Sequence, residues 1–228
     1  MQVPFVIEAS MGTTPAPGTV LRQVSGKPVL GYLVESLRQC PTAQNIVVVS
    51  SDQSVDDPIE AYCQAEGFDC IRVSGGDLAN AYEQLLAAGP ADGFVRLSHA
   101  SPLLDYRLVE RALNLFGCEL PDLVTNRHPA TFPTGEVVEV ISADTLRSVL
   151  PKLTTPTERA DITAFYYGQP RRYRIINFSA PRDLSSLRLS VETEEEFADF
   201  VSTVMRMNRP HWSYTFEDSL ALATGILA

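Results

Sequence analysis

Apolar positions in the first half of the chain fall into two alternating patterns. Short β-rich runs are followed by longer stretches whose apolar residues recur at helical spacing, the pattern of a parallel sheet wound with helices. Val3 to Ile7 predicts the first strand. Lys27 to Arg38 predicts a helix, because Val29, Leu30, Leu33, Val34 and Leu37 repeat along one face. Ile46 to Ser50 is an unbroken apolar run, as expected of a strand covered on both faces. The cycle then repeats. A helix opening at Asp57 or Pro58 runs to Glu66 and stops at Gly67, and a strand follows at Cys70 to Val73. Next come a helix over Asp77 to Ala88, a strand over Gly93 to Leu97 and a helix over Tyr106 to Phe116.

Beyond Asp122 the rhythm loosens. Leu123 to Asn126, Val137 to Ser142 and Tyr173 to Asn177 read as strands and Ala143 to Leu150 as a helix, which predicts a sheet with an irregular or antiparallel edge. Thr193 to Met207 reads as a helix whose first turn carries Glu194, Glu195 and Glu196, placed to complement the positive end of the dipole. The expected organisation is one α/β domain over residues 1–207 and a tail over 208–228. The tail holds Trp212 and Tyr214, then Leu220, Leu222, Ile226 and Leu227, and is expected to pack on the domain or on a partner subunit.

Composition narrows the partners. With 45% hydrophobic and 20% charged residues the chain is of ordinary globular make-up. Its apolar stretches break before the ~18 residues a membrane helix needs, so no membrane partner is expected and the cytoplasm is the expected address. The four cysteines, Cys40, Cys63, Cys70 and Cys118, contain no CxxC pair, which argues against a zinc site or a disulfide framework. A net charge of −10 gives no long-range attraction to nucleic acid, so a polyanionic ligand has to be met by a local cluster of cations.

The most suggestive segment is the loop from Ser10 to Thr19, between the first strand and the first helix. It places flexible backbone at the carboxyl edge of a parallel sheet, where open α/β sheets bind ligands. Gly12 and Gly18 permit close approach, and the N–H groups of Gly12, Thr13 and Thr14 are candidates to cradle an anion.

The chain here resembles the spore coat polysaccharide biosynthesis protein F family of cytidylyltransferases, relatives of the CMP-sialic acid synthetases. That family's first loop reads approximately Q-A-R-M-G-S-T-R-L-P-G-K, where this chain has Glu8-Ala9-Ser10-Met11-Gly12-Thr13-Thr14-Pro15-Ala16-Pro17-Gly18-Thr19. The likeness continues through Gly26-Lys27-Pro28-Val29-Leu30, Ser51-Asp52, Asp56-Asp57-Pro58-Ile59-Glu60, and Arg72 ahead of Asp77 and Tyr82. Farther on it takes in Arg96 with Pro102, Leu103 and Asp105, then Asn126, Gly135, Val138-Glu139-Val140, Asp183 to Arg188, and Val191-Glu192-Thr193. These stretches are collinear over about residues 3 to 205.

The resemblance implies a three-layer, Rossmann-like nucleotide-diphospho-sugar transferase fold of the GT-A kind. It also implies transfer of CMP from CTP to a sugar of a surface polysaccharide, a nucleotide or nucleotide-sugar ligand, Mg²⁺, and a homodimer. By the same resemblance Lys27 and Arg96 are candidate catalytic cations, Ser51, Asp52, Arg72 and Arg96 candidate nucleotide contacts, and Glu139 and Glu192 candidate metal ligands.

Several positions depart from the family pattern. Ser10, Pro15 and Thr19 stand where the first loop carries two arginines and a lysine, and Ala100 stands where the T-A-D-C-P segment carries its metal-binding Asp. Ala81 replaces an arginine, and Val137 the Asp of D-V-E-V. Phosphoryl transfer runs on cations and donors already fixed around the developing charge, and losing one such donor costs about 10²–10³ in rate. The expectation is a family member with CTP-dependent transfer impaired or lost, a pseudoenzyme. The alternative is a divergent active nucleotidyl- or glycosyltransferase that uses the surviving charges.

Overall fold

The computed structural model describes residues 1–12, 15–43 and 45–225. Its centre is a seven-stranded sheet of order β5-β4-β1-β6-β8-β7-β9. The strands are β1 (Phe5–Glu8), β4 (Ile46–Ser51), β5 (Asp69–Val73), β6 (Gly93–Ser98), β7 (Leu123–Thr125), β8 (Glu139–Ser142) and β9 (Ile175–Asn177). A two-stranded hairpin, β2 (Gln23–Val24) with β3 (Lys27–Pro28), stands apart.

Within the large sheet only β8 is reversed. It is antiparallel to β6 on one side and β7 on the other, whereas β1 is parallel to β4 and β6, and β7 to β9. The antiparallel element expected at an edge therefore lies inside the sheet. The chain passes from β6 through helix α4 (Tyr106–Glu119) to β7, leaves one strand's width vacant, and returns along residues 126–138 to fill it.

Both faces of the sheet are buried, and side-chain alternation along the strands divides the core in two. Phe5, Ile7, Val48, Val95, Leu97 and Val140 pack on one face, against α1 (Val29–Leu37), α2 (Asp57–Glu66) and α4. Val6, Val47, Val49, Phe94 and Ile141 pack on the other, against α3 (Leu78–Ala88) and α5 (Ala143–Val149). A smaller cluster joins Tyr32 and Leu103 to Phe200 of α8 (Glu194–Arg206).

Local chemistry sets the helix ends. Gly67 ends α2 at φ 76°, Asp77 caps α3 by accepting from the Asn80 N–H, and Asp105 caps α4 by accepting from the Arg107 N–H. Thr193 caps α8 ahead of its three glutamates. The helix predicted from Lys27 begins instead at Val29. Lys27 pairs with Val24 in the hairpin, and Pro28, at ψ 153°, is extended.

Two short helices, α6 (Pro156–Ala160) and α7 (Ala164–Tyr167), lie in a stretch without helical apolar periodicity. The tail forms α9 (Phe216–Thr224), opened by a capping box at Thr215 and Asp218. Phe216 and Leu220 are buried in the main core, with Phe216 edge-on to Phe132 at 5.3 Å. Ile226 and Leu227 lie outside the described residues. No helix of the described chain is long and apolar enough to cross a membrane.

The return loop to β8 is held at Gly135, whose φ of 102° suits glycine and whose Cα lies so close to the 187–190 segment that an added Cβ would sit 2.6 Å from Leu189 C and Ser190 N. Gly135→Ala is expected to cost about 2–4 kcal/mol, read as a lowered urea midpoint with unchanged slope. Beside it Glu136 is fully buried; its Oε2 accepts from the Asp105 N–H at 2.9 Å and its Oε1 has no partner. Burial pushes this carboxyl well above its ordinary value, so the folded state holds the proton more tightly than the unfolded chain does. Stability at this site is therefore complete below the ordinary carboxyl range and falls as pH rises through the raised value. Glu136→Gln, which cannot ionise, should flatten that fall in urea midpoints compared at about pH 5 and about pH 8.

Candidate functional site

The carboxyl ends of β1, β4, β5 and β6 all open onto one edge of the sheet, and a cleft of about 650 Å³ lies there. Its walls include Glu8, Ser51, Gly75, Gly76, His99 and Glu192, with Ser10, Gly12, Ser98 and Ala100 also facing it. A second hollow of the same volume runs beside the start of α8, is lined by Arg188, Glu195 and Asp199, and shares Glu192 with the cleft.

The loop after β1 is tied down by a carboxylate. Asp56 is fully buried; its Oδ1 accepts from the Met11 N–H at 2.7 Å, and its Oδ2 from the Ser51 N–H at 3.1 Å and the Ser50 and Ser51 hydroxyls at 3.1 and 2.5 Å. Burial acts to raise its pKa, but these bonds outweigh burial and hold the carboxyl below its ordinary value. One backbone N–H of the loop, that of Met11, is thus already given to an internal anion, together with that of Ser51 at the end of β4.

The two arginines expected at the nucleotide are directed into the protein. Arg72 Nη1 pairs with Glu60 at 2.7 Å, Nη2 donates to Asp57 at 2.9 Å and to the Gln53 carbonyl at 2.8 Å, and Nε donates to the Ser51 carbonyl. Arg96 is more enclosed. Its Nε and Nη2 grip Glu8 at 2.6 and 3.1 Å, while Nη1 donates to Glu139 at 3.0 Å, Asp161 at 2.9 Å and the Thr163 hydroxyl at 2.6 Å. Both oxygens of Glu139 are engaged, Oε2 by Arg96 and Thr163 and Oε1 by the Tyr167 hydroxyl. Burial raises the Glu8 carboxyl above its ordinary value, against the pull of Arg96.

Of the other sequence-derived site residues, Ser51, Gly12 and Glu192 line the cleft. Asp52 is exposed on the neighbouring turn, its N–H donating to the Val73 carbonyl, and is not among the lining residues. Lys27 pairs with Glu35 and lies 4.7 Å from the Tyr32 ring centre, away from the cleft. Arg72, Arg96 and Glu139 do not line the cleft, so the structure does not bring Glu139 together with Glu192 there. Thr13 and Thr14 lie outside the described residues. At the departures from the family pattern, Thr19 turns inward to the Ala16 carbonyl at 2.5 Å, Ala81 is buried, and Ala100 lines the cleft with its carbonyl accepting from Val191 N–H at 2.9 Å.

Four residues of the site carried little or no sequence signal of their role. Asp56 stood only within the Asp56-Asp57-Pro58-Ile59-Glu60 stretch of the resemblance, and only the fold reveals its partners in the loop after β1 and at the end of β4. Asp161 stands 65 positions from Arg96, beyond any local pattern. Gly75 and Gly76, at φ 60° and 74°, form a left-handed pair in an otherwise plain turn.

Fold and cleft together define a nucleotidyltransferase-type domain. A cytidylyltransferase family model matches residues 5–143, more than half of the chain, and the chain belongs to that family. It is 26% identical over 200 residues to the spore coat polysaccharide biosynthesis protein SpsF of Bacillus subtilis, covering 85% of this chain and 82% of that protein. A cytidylyltransferase structure from Leptospira borgpetersenii superposes with a TM-score of 0.91 at 23% identity, covering 99% of this chain and 94% of that one. A CMP-2-keto-3-deoxy-manno-octonic acid synthetase complexed with CTP superposes with a TM-score of 0.64 at 15% identity, covering 90% of this chain and 99% of that one.

Arg96→Met is expected to cost about 3–5 kcal/mol in denaturant unfolding, because it strands buried carboxylates without a cation. Asp56→Ala is expected to cost about 1–3 kcal/mol by orphaning the Met11 and Ser51 N–H groups. With its folded pKa lowered, Asp56 stabilises the protein above the ordinary Asp range, and that contribution is lost as pH falls through the folded value. Asp56→Ala should therefore show a smaller loss of stability on acidification than the parent protein, measured by urea midpoints from neutral to acid pH.

Proposed function

We propose that this cytidylyltransferase-family protein has lost CTP-dependent transfer, wholly or nearly so, and serves surface-polysaccharide synthesis as a nucleotide- or nucleotide-sugar-binding or partner subunit. One observation carries the reading: among the described residues, no Lys or Arg lines the cleft. A triphosphate held for attack at its α-phosphorus needs fixed cations around the developing negative charge. Here the surviving guanidinium groups already neutralise protein carboxylates.

Magnesium, which the resemblance implies, does not fit the residues present. Mg²⁺ asks for near-octahedral oxygen ligands. Both Glu139 oxygens are engaged by protein donors, Ala100 has no ligand atom, Glu8 is gripped by Arg96, and of the two carboxylates expected to hold the metal Glu192 alone lines the cleft. Among the described residues no group of three or more His, Cys, Asp or Glu side chains is assembled to hold a metal ion. A homodimer belongs to this proposal on the strength of the resemblance, and cytoplasmic placement on the short apolar stretches of the sequence.

The test is pyrophosphate release from CTP with Mg²⁺ and an acidic sugar acceptor. No release above the protein-free background is expected. Turnover in the ordinary enzymatic range of about 1–10³ s⁻¹ would overturn the reading and favour the divergent transferase.

A further inference from the structure

We propose that the cleft takes an uncharged nucleoside in preference to its triphosphate, with His99 Nε2 accepting a hydrogen bond from a ligand hydroxyl or amino group. The inference rests on the reading that CTP-dependent transfer has been lost, and it specifies what the same site selects instead.

The charge around the cleft comes first. The ionisable side chains lining it are Glu8, Glu192 and His99, with no Lys or Arg. The two loop residues outside the described set are threonines and add no charge. Glu8 is held by Arg96, so the exposed carboxylate of Glu192 sets the local sign. A phosphate chain entering here meets a like charge with no cation to offset it.

His99 supplies the second, independent observation. The residue is 8% exposed and lines the cleft. Its backbone N–H and its ring Nδ1 both lie 3.0 Å from the Glu8 carbonyl oxygen. A carbonyl can only accept, so Nδ1 carries the hydrogen and Nε2 of the neutral ring presents a lone pair. Burial pushes the imidazole below its ordinary value, in keeping with a neutral ring. Among the described residues no donor reaches Nε2, nor is it among the wholly enclosed atoms without a partner, so it is open to the cleft. An acceptor so placed favours a ligand that donates, and an ionised phosphate offers only acceptors.

The two walls differ in a way that suits a nucleoside. At the ends of β4 and β5 apolar Val55, Val73 and Leu78 line the cleft beside polar Ser50, Ser51 and Gln53, and Gly75 and Gly76 leave open space where side chains would stand. A flat base fits such a wall. At the end of β6, Ser98 and His99 face the cleft, and the backbone bond from Val191 N–H to the Ala100 carbonyl brings Glu192 beside them. That side presents acceptors for ribose hydroxyls.

The experiment is isothermal titration calorimetry of the whole protein, without Mg²⁺, against cytidine, CMP, CTP and methyl glucoside. Affinity is expected to fall from cytidine to CMP to CTP, with cytidine about tenfold or more ahead of CTP. Glu192→Gln should narrow that gap. His99→Ala should weaken cytidine about tenfold, and His99→Gln, which keeps an acceptor, should recover part of the loss. Thermal melts of each variant establish that it is folded; if His99→Ala is not, His99→Gln and Glu192→Gln carry the test. CTP binding more tightly than cytidine, methyl glucoside binding in place of cytidine, no binding of any probe at millimolar concentration, or unaltered cytidine affinity in folded His99→Ala would each overturn the inference. A CTP-first order without pyrophosphate release sinks this inference alone, whereas pyrophosphate release sinks the lost-transfer reading whatever the order.

Discussion

One guanidinium, that of Arg96, is shared among three carboxylates beside the cleft, and much of the structure answers to it. From the middle of the sheet it holds Glu8 on β1, Glu139 on β8 and Asp161 in the stretch between α6 and α7. Burying so many charges is tolerable only because each carboxylate is paired or hydrogen-bonded. The same arrangement ties the reversed strand β8 and the α6–α7 segment to the parallel half of the sheet. It also determines what is left over: a single cation already shared among three protein carboxylates has nothing spare for a ligand's phosphates.

Asp56 is the complementary device on the other side of the cleft. Its carboxylate gathers donors from the loop after β1 and the end of β4, which fixes the loop's path without any help from a ligand. An anion-binding loop ordinarily leaves its N–H groups for the substrate. Here part of that capacity is satisfied internally, and the loop's own side chains, Ser10 and Pro15 among them, bring no charge to replace it. The two devices leave a cleft with the architecture of its family and a different electrostatic character.

How much of this could be read in advance follows from the range of the forces involved. The parallel half was legible because β1, β4 and β6 are apolar on both faces and the intervening helices keep helical spacing, both local properties of the chain. The position of β8 was not, because the insertion of a returning strand between two others is a long-range pairing with no local marker. Helix α6 does carry a local marker, the capping box of Thr155 and Glu158, but no apolar periodicity follows it to mark a helix. The tail's apolar end, Leu220 among it, was legible as a packing surface, and only the fold showed that this chain's own core receives Leu220 together with Phe216.

The amino-acid sequence by itself determined the family, the winding of the parallel half and the inventory of charges, since these depend on residue identity and near-neighbour order. It named Arg72, Arg96 and Glu139 as charged groups able to serve a ligand. The tertiary structure alone decided that they serve the protein, because a charge is committed by whatever lies within about 3 Å of it in space. For Arg96 those partners come from positions 43 and 88 residues away in the chain, as well as from Asp161, a separation at which sequence order carries no information about distance.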